Sequence, residues 1–159
     1  MHTKLAALAV LAVATIVLSG VASAGPAATK QRIAITTAKG NGFSFVLTPL
    51  TSGPFTRDSG SASACCWTQR FVTRDGQESE IDNPLKTYAG KQGTFTMRLV
   101  INWINAGNGL TIGTGTWRIV GGTGAYKHLE GKGRIAVSWP DARSSWQSSR
   151  AEGLVELNR

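Results

Sequence analysis

Few side chains in this sequence are equipped for chemistry, and their spacing narrows what they can do. Cys65 and Cys66 are adjacent and are the only two cysteines. Consecutive Cα atoms lie about 3.8 Å apart, whereas disulfides prefer about 5.5 Å, so a bridge within the pair is strained. On a strand, neighbouring side chains point to opposite faces, which predicts one buried and one exposed thiol. A buried apolar cysteine with an incidental neighbour is the plainest reading. A vicinal disulfide and an intermolecular bridge are the alternatives. With only His128 as a further soft donor, the pair falls short of a four-ligand metal set, and no metal is expected. His128, in the turn after Tyr126 and beside Lys127, reads as a surface residue. No Gly-x-Ser-x-Gly accompanies it. Glu78, Glu80 and Asp82 alternate and so share one face of a strand, most simply a solvated one. Turned inward, one of them could act as a general acid or base. No complete catalytic set emerges, so the catalytic residues are unknown at this level and enzyme activity stays open.

The segment Ile119-Val120-Gly121-Gly122-Thr123-Gly124-Ala125 looks like a nucleotide loop, with Asp141 in Trp139-Pro140-Asp141 a plausible distance beyond. Its context fails. The third glycine of that fingerprint falls at Lys127, and Gly131 and Gly133 stop the following helix after about one turn. No Gly-Lys-Ser/Thr follows, so a phosphate loop fails too. No cofactor is expected. The tryptophans, Trp67, Trp103, Trp117, Trp139 and Trp146, all fall on predicted strands. They pack a small core or line an apolar pocket.

The elements that must position these residues are strands. Val, Ile, Thr, Trp and Phe alternate with polar residues, punctuated by glycine-rich turns. The pattern predicts strands at 31–38, 42–50, 61–74, 77–88, 94–103, 110–120, 132–139 and 145–157. A loop with Pro54 spans 51–60, and one helical turn falls around Ala125–Leu129. Lys39-Gly40-Asn41-Gly42, Asp75-Gly76 and Asn108-Gly109 are hairpin turns. Asn83-Pro84 interrupts the fourth strand, as at an edge or bulge. The fifth strand is the clearest. Phe95, Met97, Leu99, Ile101 and Trp103 share one face, with Thr94, Thr96, Arg98, Val100 and Asn102 on the other, a period of two with Val100 the one exception. Trp117, on the next strand, lies near Trp103 if that hairpin forms. Phe95, Met97, Leu99, Trp103 and Trp117 are therefore the candidate ligand-binding residues. A meander of eight strands can close on itself and remove its edges; a two-sheet sandwich is the alternative.

Residues 1–24 read as a secretory signal. A short basic start is followed by an apolar run from Leu5 to Leu18 and by Ala22-Ser23-Ala24, a small-residue cleavage site. This predicts a secreted protein with no membrane span after cleavage, a flexible leader at 25–30 and a barrel domain at 31–159. The chain carries 17 Lys and Arg against 9 Asp and Glu, a net charge of +8. These cations are scattered in sequence and form no run. Nucleic-acid binding, which wants a clustered patch with aromatic platforms, is not expected. The charge reads as a solubility feature, with a weak attraction to anionic envelope polymers as the lesser alternative.

Gly113 to Gly133 reads GTGTWRIVGGTGAYKHLEGKG, and Ala89 to Phe95 reads AGKQGTF. These segments resemble the allene-oxide-cyclase-like barrel superfamily, which includes the plant dirigent proteins and many small secreted bacterial proteins. The resemblance implies a single eight-stranded antiparallel, calycin-like barrel with an apolar interior and no cofactor. It also implies relatives that act on or steer hydrophobic small molecules. In that setting Gly121, Gly122 and Gly124 supply positive φ or close approach. Tyr126 and Leu129 plug one barrel end, and Gly131 and Gly133 let the next strand start. The leading expectation is an all-β secreted barrel that binds a hydrophobic small molecule in its interior. A cofactor-free cyclase or isomerase and a structural envelope-associated protein are the alternatives, and the oligomeric state is undetermined.

Overall fold

The structure, a computed structural model, describes residues 29–40, 42–140 and 147–158. The expected signal peptide, most of the leader, Asn41, Asp141 and Trp146 lie outside the described residues. Ten strands run in chain order: β1 (Gln31–Lys39), β2 (Phe43–Pro49), β3 (Asp58–Cys65), β4 (Gln69–Arg74), β5 (Gln77–Asp82), β6 (Leu85–Gly90), β7 (Thr94–Gly107), β8 (Leu110–Gly122), β9 (Leu129–Trp139) and β10 (Gln147–Leu157). The one helical element is a 3-10 turn, Gly124–Tyr126.

Eight of these strands close into a barrel in the order β1-β2-β3-β6-β7-β8-β9-β10, with β10 pairing back onto β1, every pair antiparallel. Closure removes the sandwich alternative. The turn chemistry read from the sequence sits where the chain reverses. Asp75 and Gly76 both take positive φ (51° and 76°), as do Asn108 and Gly109 (52° and 81°). That is the backbone which matches a two-residue hairpin to the strand twist.

The third and fourth expected strands are each broken in two. Cys66 has φ 60° and residues 66–68 leave the ladder. On the return, Asn83-Pro84 breaks the partner, since proline has no N–H to donate. The distal halves, β4 and β5, form a hairpin outside the barrel. It is held to β7 through Glu80–Trp103, Ile81–Asn102 and Asp82–Ile101. It continues the edge of β7 that β6 occupies from Thr94 to Arg98, and the Leu99 N–H donates to the Pro84 carbonyl at the junction (3.0 Å).

Side chains, not a void, occupy the middle of the barrel. An aromatic column runs along one side. Phe55 stacks on Tyr126 (6.0 Å), Tyr126 meets Phe95 edge-on (5.0 Å), and Phe95 stacks on Tyr88 (4.7 Å), with Phe45 against both Phe95 and Tyr88. Ile33, Ile35, Leu47, Met97, Leu99, Ile101, Ile135, Val137 and Val155 fill the rest. Each such side chain contributes about 1.5–3 kcal/mol on leaving water, and the offset and edge-to-face ring pairs add to that.

Candidate functional site

One end of the barrel is sealed by polar side chains. After β8, Gly124 takes φ +59°, and the 3-10 turn that follows drives Tyr126 inward to complete burial. The Tyr126 hydroxyl donates to Asp58 Oδ2 (2.7 Å). Asp58 also accepts from the backbone N–H groups of Ser59, Lys91 and Gln92 (2.7, 3.0 and 3.3 Å). Burial alone would raise the Asp58 carboxyl. The hydrogen bonds, that from Tyr126 foremost, outweigh it and hold the carboxyl below its usual range. Burial, the bond to Asp58 and its negative charge push the Tyr126 phenol up. Beside it the buried Gln31 clamps the 51–55 loop. Its Nε2 donates to the carbonyls of Thr51 and Phe55, and its Oε1 accepts from the Phe55 N–H (2.8 Å).

The opposite end holds the chemistry. Lys86 and Tyr88 sit at alternate positions of β6, so both point inward. Lys86 is only 6% exposed. Its Nζ lies 4.8 Å from the Phe43 ring centroid and 5.8 Å from that of Tyr88, while Lys39 Nζ approaches the same Phe43 ring at 5.5 Å. Neither lysine has an ion-pair partner among the described residues. Burial pulls the Lys86 ammonium down to about 8. Below it the Tyr88 hydroxyl faces Thr37. Burial drives this phenol up, and Thr37 is near enough to bias it the other way, yet neither oxygen makes a well-formed hydrogen bond. A buried cation and two hydroxyls without well-formed hydrogen bonds, gathered at one end of the packed interior, are groups that an acidic or carbonyl oxygen would satisfy. A lysine titrating near neutrality can also take up or release a proton.

The expected ligand residues distribute unevenly around this buried lysine. Phe95, Met97, Leu99 and Ile101 face inward and are buried, and Arg98 and Val100 face outward. Met97 lies directly across from Lys86. Trp117 shares the inward face with its partner Leu99. Its indole N–H donates to the Arg134 carbonyl (3.0 Å), and its ring covers Gly133 and Gly153. There an added Cβ would sit 2.7 and 2.5 Å from the indole and closer still to backbone. Trp103 lies four residues further along β7 than Leu99, opposite Gly113 rather than Trp117. It is half-buried and donates its indole N–H to Asp82 Oδ2 (3.0 Å).

Several expectations are corrected. Both cysteines are exposed and unbridged, because Cys66 leaves the strand with φ 60° and the two-face alternation does not apply. Their mutual hydrogen bond raises the Cys65 thiol. Trp67 is on no strand; it lies in the link between β3 and β4, 59% exposed. The acidic face is not simply solvated. Asp82 tucks against Trp103 with Oδ1 buried and unpartnered. Burial raises its carboxyl, the Trp103 N–H opposes, and Glu80 raises it further. Of Gly121, Gly122 and Gly124, only Gly124 needs positive φ; at Gly122 a Cβ would lie 2.2 Å from the Tyr126 carbonyl oxygen, and at Gly121 nothing is near. Gly131 and Gly133 lie within β9, which starts at Leu129.

Sequence reasoning missed Lys86, Thr37, Tyr88 and Asp58. The available signal was Lys86 and Tyr88 in alternation beside Leu85, but a lysine on a strand is ordinarily assigned to solvent. Fold and site together define a closed eight-stranded antiparallel barrel with one end plugged and a buried lysine at the other. Compared with family models, with curated proteins and with solved structures, the chain matches none.

Proposed function

We propose that this is an exported barrel that binds a hydrophobic small molecule bearing an acidic group, at the Lys86 end of its interior. The observation that carries the reading is Lys86, an ammonium buried with no acid partner among the described residues, beside two unpartnered hydroxyls. An unpaired buried charge is costly, and a bound carboxylate or phenolate offsets that cost. The apolar body of the ligand lies against Met97, Leu99 and Trp103, with Phe95 beneath and Trp117 beside Leu99 on the neighbouring strand. Met97 is the adaptable member of that floor. Export rests on the apolar run Leu5–Leu18 and the Ala22-Ser23-Ala24 site. Membership of the allene-oxide-cyclase-like superfamily rests on the 113–133 and 89–95 segments, together with the eight-stranded barrel.

The test is a titration of tryptophan fluorescence with aryl and alkyl carboxylic acids and, in parallel, their methyl esters at pH 7. The acids should bind at least tenfold more tightly than the esters, and Lys86→Met should abolish that preference. Equal binding of acid and ester, or no response to any of the panel, refutes the proposal.

A further inference from the structure

The outer face of β7, β8 and β9 carries a row of cations that chain order hides. Register sets Arg98 directly opposite Arg118, and Arg118 directly opposite Lys132. The row continues through Leu154 on β10 to Arg32 on β1. Arg134 stands two residues from Lys132 on the same outward face. Neighbouring strands lie about 4.8 Å apart, and like charges directly opposite one another destabilise a sheet. Among the described residues none of Arg98, Arg118, Lys132 and Arg134 has an ion-pair partner; Glu152 is engaged by Arg32 and Arg150. Glu130 and Glu156, the other acids on this face, oppose each other across β9 and β10, beyond the row.

The surface here is concave. Arg98, Val100, Arg118, Lys132 and Arg134 border a hollow of about 400 Å³. A second hollow of about 990 Å³ over β8, β9 and β10 shares the last three cations and reaches Val120 and Leu154, but Glu130, Glu152 and Glu156 also line it, so the cations stand without acids only in the smaller hollow. Val100, Val120 and Leu154 are 41%, 43% and 47% exposed, so apolar ledges flank the charges. Trp117 borders the smaller hollow but is buried, only 3% exposed, so it offers no open ring face of the kind on which single-stranded nucleic acid stacks.

We propose that this face binds a linear anionic polysaccharide carrying carboxylates on successive sugars. Guanidinium forks donate paired hydrogen bonds to the two oxygens of a carboxylate. Charges on successive sugars meet the cations of β7, β8 and β9, and the C–H faces of the sugars lie on the valine and leucine ledges. Binding relieves the repulsion that the register builds in. The site is separate from the interior recess and does not depend on it.

The experiment measures binding of the full chain to immobilised polygalacturonate at low and at moderate salt. Arg118→Gln with Lys132→Gln should lose at least tenfold in affinity, and Arg98→Gln alone severalfold. A control with the same net charge, Arg57→Gln with Lys127→Gln, should lose less than twofold. Melting temperatures of the row variants should equal or exceed that of the wild type, since like-charge contacts are removed. Equal loss in the control means that net charge alone binds the polymer and overturns the proposal. Tighter binding to polyphosphate or to anionic phospholipid vesicles than to polygalacturonate overturns the polysaccharide assignment. Failure of the wild type to bind, or a marked fall in the melting temperature of both row variants, overturns it as well.

Discussion

Replacing Lys86 with methionine should stabilise the protein at neutral pH, by an amount that follows from the burial of the ammonium. Burial takes the lysine from its ordinary 10.5 to about 8. At about 1.4 kcal/mol per unit, holding the charge in the folded state at pH 7 costs on the order of 3 kcal/mol. The two ring contacts, with Phe43 and Tyr88, return about 0.5–1 kcal/mol each. Methionine follows a similar path through the packed interior without a charge. The net gain is about 1–2 kcal/mol, or about 5 °C in melting temperature for a domain of this size. The pH dependence carries a definite sign. Between about 8 and 10.5 the unfolded chain keeps a proton that the folded protein has released, so wild-type stability rises with pH across that window. The variant lacks this rise. Thermal melts of both proteins at pH 7 and pH 10, followed by circular dichroism, therefore show a gap that narrows as pH increases. A variant less stable than wild type at pH 7, or a gap that does not change with pH, refutes the burial argument.

Further outcomes follow from the same contacts. Gly124→Val should cost about 1–3 kcal/mol, because valine resists the +59° φ and its Cβ would lie 2.5 Å from the Gln92 carbonyl oxygen; chemical denaturation measures it, and a wild-type midpoint contradicts it. Tyr126→Phe removes a hydrogen bond to a carboxylate and should cost about 1.5–3 kcal/mol at pH 7. The stabilisation from Asp58 is present above about pH 4 and fades as pH falls through its lowered folded-state value, so the wild-type and Tyr126→Phe curves should converge in acid. Trp103→Ala should cost about 2–3 kcal/mol, less than a fully buried tryptophan, and it also strips Asp82 of its indole donor. Adding Asp82→Asn to that variant should recover part of the loss in denaturant melts, since an amide tolerates the partly buried position without charge.

The sequence by itself determined what depends on neighbours along the chain. Alternation over Thr94–Trp103 set the strand and its apolar face, and Phe95, Met97, Leu99 and Ile101 are buried on it. Asp75-Gly76 and Asn108-Gly109 announced their hairpins, because positive φ at two consecutive residues is a local steric property. The 3-10 turn near Tyr126 was legible for the same reason. Tertiary structure alone decided everything that depends on register between distant strands. Whether the expected 61–74 and 77–88 strands stay whole turned on Cys66 and Pro84, and only the edge of β7 gave their outer halves somewhere to pair. Alternation assigns residues to two faces without saying which is inside, and where both are polar, as around Lys86, hydropathy cannot choose. The barrel chose, by placing Tyr88 against Phe95 and carrying Lys86 in with it. The cations at 98, 118 and 132 are scattered in the chain and aligned in the sheet, because hydrogen-bond register, which no local pattern encodes, sets which residues stand opposite.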